Sequence, residues 1–279
     1  MVINESNYFS KEVRNKYLDV STFKDFVGTP ARDGCEARAL ASLSGEYEQE
    51  KTTALLLGSL FDEMLLGTPE SLLLFKADNP ELFSSRGPTK GQLKSEYAKV
   101  YQMVERCKQD PKFMKYLDGE HQVIMTGTLF GMDWRIKIDN YITHKAIVDL
   151  KSMESIRKSY WSPGNGRCNA FIYYDYILQA AVYQEIVFQN TGERLPFYFA
   201  CASKEAITDL EVVYVDDQTL HERIYGNEFS PGIANDVQNI RLLMNHEVEP
   251  IKCGRCDYCL PKKKIERPIH FLELEGELN

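Results

Sequence analysis

The alternation of apolar and polar positions is clearest between Gly127 and Ser152, GTLFGMDWRIKIDNYITHKAIVDLKS. Trp134, Ile136 and Ile138 alternate with Arg135, Lys137 and Asp139, the period of two that marks a strand. Asn140 to Lys145 supplies polar turn chemistry, and Ala146 to Leu150 is a second, apolar run, so the stretch predicts a β-hairpin. His121 to Met125 predicts a third strand before the breaks at Gly127 and Gly131. Upstream, Asn4 to Val20 reads as an N-terminal arm, and helices are predicted over Ser21–Phe26, with Ser21 as cap, and over Cys35–Leu40. Thr52 to Leu66 predicts a strong helix whose apolar positions run almost all round, hence burial on most sides. Thr68-Pro69-Glu70 caps a further helix, Lys90 to Lys108 is amphipathic, and Pro111 to Asp118 is a connector into the sheet. Downstream, a helix is predicted over Phe171–Asn190, strands over Pro196–Ser203 and Leu210–Val215, and a last helix over Pro231–His246.

Composition narrows the class. With 279 residues, 43% of them hydrophobic, the chain can bury a full core. The polar start, Met1 to Lys16, lacks the pattern of a leader, and no apolar run approaches the roughly 20 residues of a membrane span. Seven cysteines in such a chain point to free thiols in a reducing, cytoplasmic setting. A formal net charge of −8 is not the profile of a sequence-independent DNA binder, although clustered metal-binding carboxylates contribute to it and the relevant potential is local.

Candidate chemistry lies where the hairpin puts its charges. Asp149 and Lys151 are two apart and leave one face of a strand, and Asp139, closing the preceding strand, comes alongside them. Carboxylate and carbonyl oxygens suit magnesium or manganese. Such a cation acidifies water and neutralises charge on a phosphoryl oxygen, and a lysine beside it orients the water or stabilises the transition state. Against this, Asp-x-Lys is common, and most copies are solvated surface charges. Asp62 and Glu63 interrupt an apolar helix one turn after Gly58, and a buried carboxylate needs a partner or a ligand unless it faces water at the helix end. Gln179 and Tyr183 share a helix face, as an amide and a phenol able to hold a phosphate, a water or the lysine, or else as ordinary packing. The lysines at 90, 94, 99 and 108 read as a solvated face, Phe171, Tyr173 and Tyr174 as core, and Trp161 in its Pro-Gly loop as a base-stacking candidate. Cys253, Cys256 and Cys259, with two residues between each on a turn-rich loop, suit zinc or an iron–sulfur cluster and need a fourth ligand. Cys107, Cys168 and Cys201 read as buried thiols, with Cys168 in reserve as that ligand.

Ile138-Asp139, a turn, then Ile147-Val148-Asp149-Leu150-Lys151 resembles the active-site core of the PD-(D/E)xK nuclease superfamily, in its RecB and RecE-like phage exonuclease branch. The resemblance implies an α/β, restriction-endonuclease-like fold: a mixed central sheet flanked by helices in αβββαβ order. It would span residues 1–279 as a single domain, with a cysteine-bearing segment from about 250 to 279 closing onto the N-terminal helices. It implies a metal-dependent DNA exonuclease. Asp139, Asp149 and the Leu150 carbonyl would hold magnesium or manganese, and Asp62 would stand where the family pattern has a histidine. Lys151 would orient the attacking water, and Gln179 and Tyr183 match the family's Gln-x-x-x-Tyr motif. Some relatives carry one cysteine before the Gly-rich helix and three after the last core helix, holding a 4Fe–4S cluster, which makes Cys35 the expected fourth ligand. The compact spacing here leaves open zinc, or a site vacant in the isolated protein. A single-strand annealing recombination protein is the implied partner. Two rivals stand beside this reading: a structure-specific or single-strand endonuclease on the same core, and a non-catalytic, metal-stapled DNA-binding or scaffold protein.

Overall fold

The alternating stretch lies in a five-stranded mixed sheet in the computed structural model, which describes residues 2–265 and 267–271. In chain order come α1 (Lys11–Lys16), α2 (Val20–Val27), a small hairpin of β1 (Gly28–Thr29) and β2 (Arg32–Asp33), α3 (Glu36–Ser44), α4 (Thr53–Leu66) and α5 (Pro69–Asp78). α6 (Ser95–Lys108) and α7 (Pro111–Lys115) precede β3 (Glu120–Leu129), β4 (Met132–Ile142) and β5 (Ala146–Met153). A second small hairpin, β6 (Tyr160–Ser162) and β7 (Gly166–Cys168), leads to α8 (Ala170–Tyr173) and α9 (Tyr176–Thr191). β8 (Phe197–Ser203), β9 (Leu210–Val215), α10 (Asp217–Tyr225) and α11 (Ala234–Met244) follow.

The sheet order is β3-β4-β5-β8-β9, antiparallel except between β5 and β8, where α9 lies on the crossover. A parallel pair needs such a crossover, so the helix bearing Gln179 is tied to the strand bearing Asp149 and Lys151. This is the mixed, helix-flanked α/β fold expected from the resemblance. Helices cover both faces. Residues of α2, α3, α9, α10 and α11 pack with Trp134, Ile136, Ile138 and Ile147, while α4, α6 and α7 pack with Val148, Leu150, Ala200 and Ala202. β5 is therefore buried on both sides, which is why its sequence is a continuous apolar run.

The structure corrects several local expectations. β4 continues to Ile142, so Asp139 lies inside the strand and the turn is only Thr143 to Lys145. Asn140 is a buried strand residue whose Nδ2 donates to the Tyr116 carbonyl at 2.8 Å. Arg135, on the polar side of the alternation, is only 1% exposed, because the N-terminal arm covers it. Its guanidinium pairs with Asp19 at 2.5 Å and donates to the Tyr8 carbonyl. The cap of α2 is Asp19 and not Ser21, its carboxylate accepting from Thr22 N–H at 2.8 Å. The helix predicted over Phe171–Asn190 is two helices. Asp175 breaks it with φ of 50°, caps α9 through Leu178 N–H, and pairs with Arg223 at 2.7 Å. On α4, Leu55 is 58% exposed, so one side of that helix faces outward.

Candidate active site

The β4–β5 ladder ends at the Asn140–Val148 pair. Beyond it the strands diverge, and the next residue on each is an aspartate. In this fork the Leu150 N–H, released from the ladder, donates to Asp139 Oδ2 at 3.0 Å. Asp149, 3% exposed, accepts from Gln179 Nε2 at 2.5 Å on Oδ1 and faces Lys151 Nζ at 2.6 Å with Oδ2. Lys151 Nζ also donates to Gln179 Oε1 at 3.0 Å, so Asp149, Lys151 and Gln179 close a triangle of contacts. α4 approaches at Gly58, where a Cβ would stand 3.3 Å from Ser152 Oγ. The missing side chain lets the helix lie against β5. One turn further on, Asp62 feels the charges of Asp139, Asp149 and Lys151.

Those charges are under strain. Burial, then the Asp149 charge, raises Asp139 from the ordinary 3.8 to about 7, against Lys151 and the Leu150 N–H, which lower it. Burial and the Asp139 charge push Asp62 well above the carboxylate range. Burial works against the Lys151 ammonium, but Asp149, Tyr176 and Asp139 raise it above the lysine range, so it stays protonated. Mutually repelling carboxylates are the donor set a hard divalent cation relieves, and Asp149 Oδ2 has no well-angled hydrogen-bond donor despite the nearby ammonium. Asp139 and Asp149 fit such a cation as a pair, while Asp62 adds its charge without its oxygens converging on theirs as a third ligand atom.

A pH dependence follows for the metal-free chain. Asp139 holds a proton in the folded state that the unfolded chain loses near 3.8. Stability contributed by that proton is present below about 4 and is lost as pH rises through about 7. In a chelator, the melting temperature is expected to fall across this window, and magnesium or manganese should reduce the fall. An Asp139→Asn chain that keeps the full slope would count against the assignment.

Tyr183 shares the Gln179 face of α9 but reaches a different target. Its hydroxyl donates to the Lys137 carbonyl at 3.2 Å, clamping α9 to β4 two residues before Asp139. Lys24 is a residue the motifs did not indicate. Its Nζ donates to the Tyr174 carbonyl at 2.9 Å and stands 5.7 Å from the centre of the Tyr176 ring, which Lys151 approaches at 4.9 Å. Burial lowers Lys24 to about 8, and the Lys151 charge adds to the fall while Asp175 opposes it. Its place in a short helix far from β5 in sequence carried no signal.

The predicted four thiols converge. The sulfurs of Cys35, Cys253, Cys256 and Cys259 all lie within 4.8 Å of one another, and Cys35 and Cys259 are 3.6 Å apart. Cys35 is the N-cap of α3, its sulfur accepting from Arg38 N–H at 3.5 Å. Burial works to raise the Cys253 thiol, but N–H groups of Arg255 and Cys256 bring it down to about 6. Cys107 and Cys201 are buried, as expected; Cys168, the reserve ligand, is instead half-buried on β7 and takes no part in the cluster.

Residues 19–262 match the family model of a PDDEXK-like domain of unknown function (DUF3799). A crystal structure of a candidate exonuclease from Eubacterium rectale is 40% identical, with 99% of each chain covered and a TM-score of 0.90. The SSO0001 structure is a remote match, 9% identical over 73% of this chain and 82% of that chain, with a TM-score of 0.28. None of the curated proteins matches. With its fork of two aspartates and a lysine inside the matched span, the chain belongs to this PDDEXK-like family, DUF3799.

Proposed function

We propose that the chain is a divalent-metal-dependent nuclease that hydrolyses DNA, acting from strand ends. The observation that carries this reading is the fork itself: Asp139 and Asp149 at the point where β4 and β5 part, with Lys151 and Gln179 bound to Asp149. The similarity to the candidate exonuclease supports action at ends. Asp139, Asp149, Asp62 and the Leu150 carbonyl would hold magnesium or manganese. When bound, that cation supplies charge neutralisation on the phosphodiester and a more acidic water. Lys151, kept protonated by its acidic neighbours, is a fixed positive charge for an anion at the fork rather than a base. Gln179 holds Lys151 and Asp149 together, and Tyr183 fixes the helix that carries it.

Residues 1–279 would form one domain. The C-terminal segment would be stapled to α3 by a metal ion on the thiols, its residues 266 and 272–279 lying outside the described ones. The thiols would take a single zinc ion: bonds of about 2.3 Å put tetrahedral sulfurs about 3.8 Å apart, near the separations here. A 4Fe–4S cluster ties each cysteine to a different iron and needs a wider set. No helix among the described residues is long and apolar enough to cross a membrane. A phage-type recombination role with a single-strand annealing partner rests on the motif resemblance.

The test is cleavage of linear and covalently closed DNA of one sequence, with magnesium, with manganese and in chelator. Loss of linear DNA only with metal, the circle staying intact, is the expected result. Metal-dependent nicking of the circle would assign an endonuclease, and cleavage unaffected by chelation would overturn the reading.

A further inference from the structure

An aromatic path leaves the catalytic fork. The Lys151 ammonium stands 4.9 Å from the Tyr176 ring, Tyr176 lies 5.7 Å from Tyr174, and Tyr174 lies 5.4 Å from Tyr160. Tyr173 closes the group, 5.0 Å from Tyr174 and stacked on Tyr160 at 4.5 Å with the planes 16° apart. Tyr160 begins β6, and the next residue, Trp161, is 45% exposed opposite an exposed Arg167 on β7. Phe171 is buried, as the sequence suggested, but Tyr174 is 36% exposed, so the expectation that it belongs to the core fails. Within the hairpin presenting Trp161, Ser162, 2% exposed, accepts from Asn165 Nδ2 at 3.2 Å across the turn.

Cations are interleaved with these rings. Lys24 lies on the Tyr176 side, Lys158 is 5.2 Å from the Tyr160 ring while paired with Glu154, and Arg167 faces Trp161. In a chain of net charge −8, this positive charge along rings of which Trp161 and Tyr174 are exposed matches a polyanion that carries flat apolar groups. Duplex DNA hides its base faces in its own stack, whereas a single strand offers them to side chains.

We propose that the β6–β7 hairpin and the tyrosines behind it form a subsite for single-stranded DNA continuous with the catalytic fork. Trp161 and Tyr174 offer the open ring faces, Tyr160, Tyr173 and Tyr176 support them, and Lys24 and Arg167 meet the backbone phosphates. The proposal rests on the nuclease reading and names the form of DNA that the site holds.

The chain has two tryptophans, and Trp134 is fully buried, so a ligand-induced change in intrinsic fluorescence reports Trp161. The full chain carrying Asp149→Asn, and the wild-type chain in chelator, are titrated with a short oligothymidylate and with a blunt duplex of equal length. Saturable quenching by the single strand is expected, with little change from the duplex. By anisotropy of a dye-labelled oligothymidylate, which needs no tryptophan, Trp161→Ala should weaken binding on the order of tenfold, and Trp161→Phe should restore most of it. Unchanged affinity in Trp161→Ala, or equal quenching by the duplex, would overturn the subsite while leaving metal-dependent cleavage standing. Absence of any DNA binding, together with an inactive wild-type chain, would instead remove the nuclease reading on which it rests.

Discussion

Asp149→Asn is expected to lower metal-dependent DNA cleavage on the order of a thousandfold or more, with the melting transition still cooperative. The substitution keeps the volume of a residue that is 3% exposed, so no cavity opens beside β5. An asparagine can still accept from Gln179 Nε2, which preserves that hydrogen bond. What it removes is a negative charge. That charge is one of the proposed metal-binding groups and the partner Lys151 faces at 2.6 Å. Loss of activity should therefore come with weaker magnesium or manganese binding by calorimetry. Gln179→Ala gives the contrast: it leaves both aspartates in place and should cost much less, about tenfold, by loosening Lys151 and Asp149. Wild-type turnover in a folded Asp149→Asn chain would remove the fork as the catalytic site.

Local periodicity made the centre of this site legible. Asp149 and Lys151 share a strand face because they are two apart, and Gln179 and Tyr183 share a helix face because they are four apart. Divergence of the strands after Asn140 and Val148 was not legible, since nothing in the alternation marks where a ladder stops. The same holds for Arg135. Its position in the pattern reads as solvent-facing, and only the arm returning with Tyr8 and Asp19 buries it. Asp175 hides in another way: an aspartate inside an apolar helical run gives no warning that it will take a left-handed conformation and restart the helix. Tyr183 matches a motif by spacing, yet its hydroxyl goes to a backbone carbonyl. Spacing sets the face of an element, and tertiary packing sets the partner.

Loss of the four-thiol site is expected to be the largest stability change available to a single substitution in this chain. Cys35 and Cys259 are 224 residues apart, and a link of that span removes about 5 kcal/mol of unfolded-state freedom in the chain-entropy account. Few buried contacts would replace it. The C-terminal segment meets the N-terminal part of the chain through surface contacts, the Ile251–Glu36, Tyr258–Glu46 and Tyr47–Asp257 hydrogen bonds and the Lys262–Glu46 and Arg255–Asp33 ion pairs, beside a small buried cluster of Cys35, Ala37 and Cys259. Exposed pairs of this kind contribute little each. Cys256→Ser should therefore lower the melting temperature by roughly 10–20 °C and open the loop near 247–252 to protease. The fork of Asp139 and Asp149 should be affected less, because none of its residues touches the thiols. Metal analysis then separates the candidate ions. One zinc per chain, no iron, and no visible absorption after anaerobic purification are expected, with zinc lost in Cys256→Ser and in Cys35→Ser. About four irons per chain with a charge-transfer band would replace zinc by an iron–sulfur cluster. A Cys35→Ser chain that keeps its metal and its melting temperature would refute the four-cysteine site.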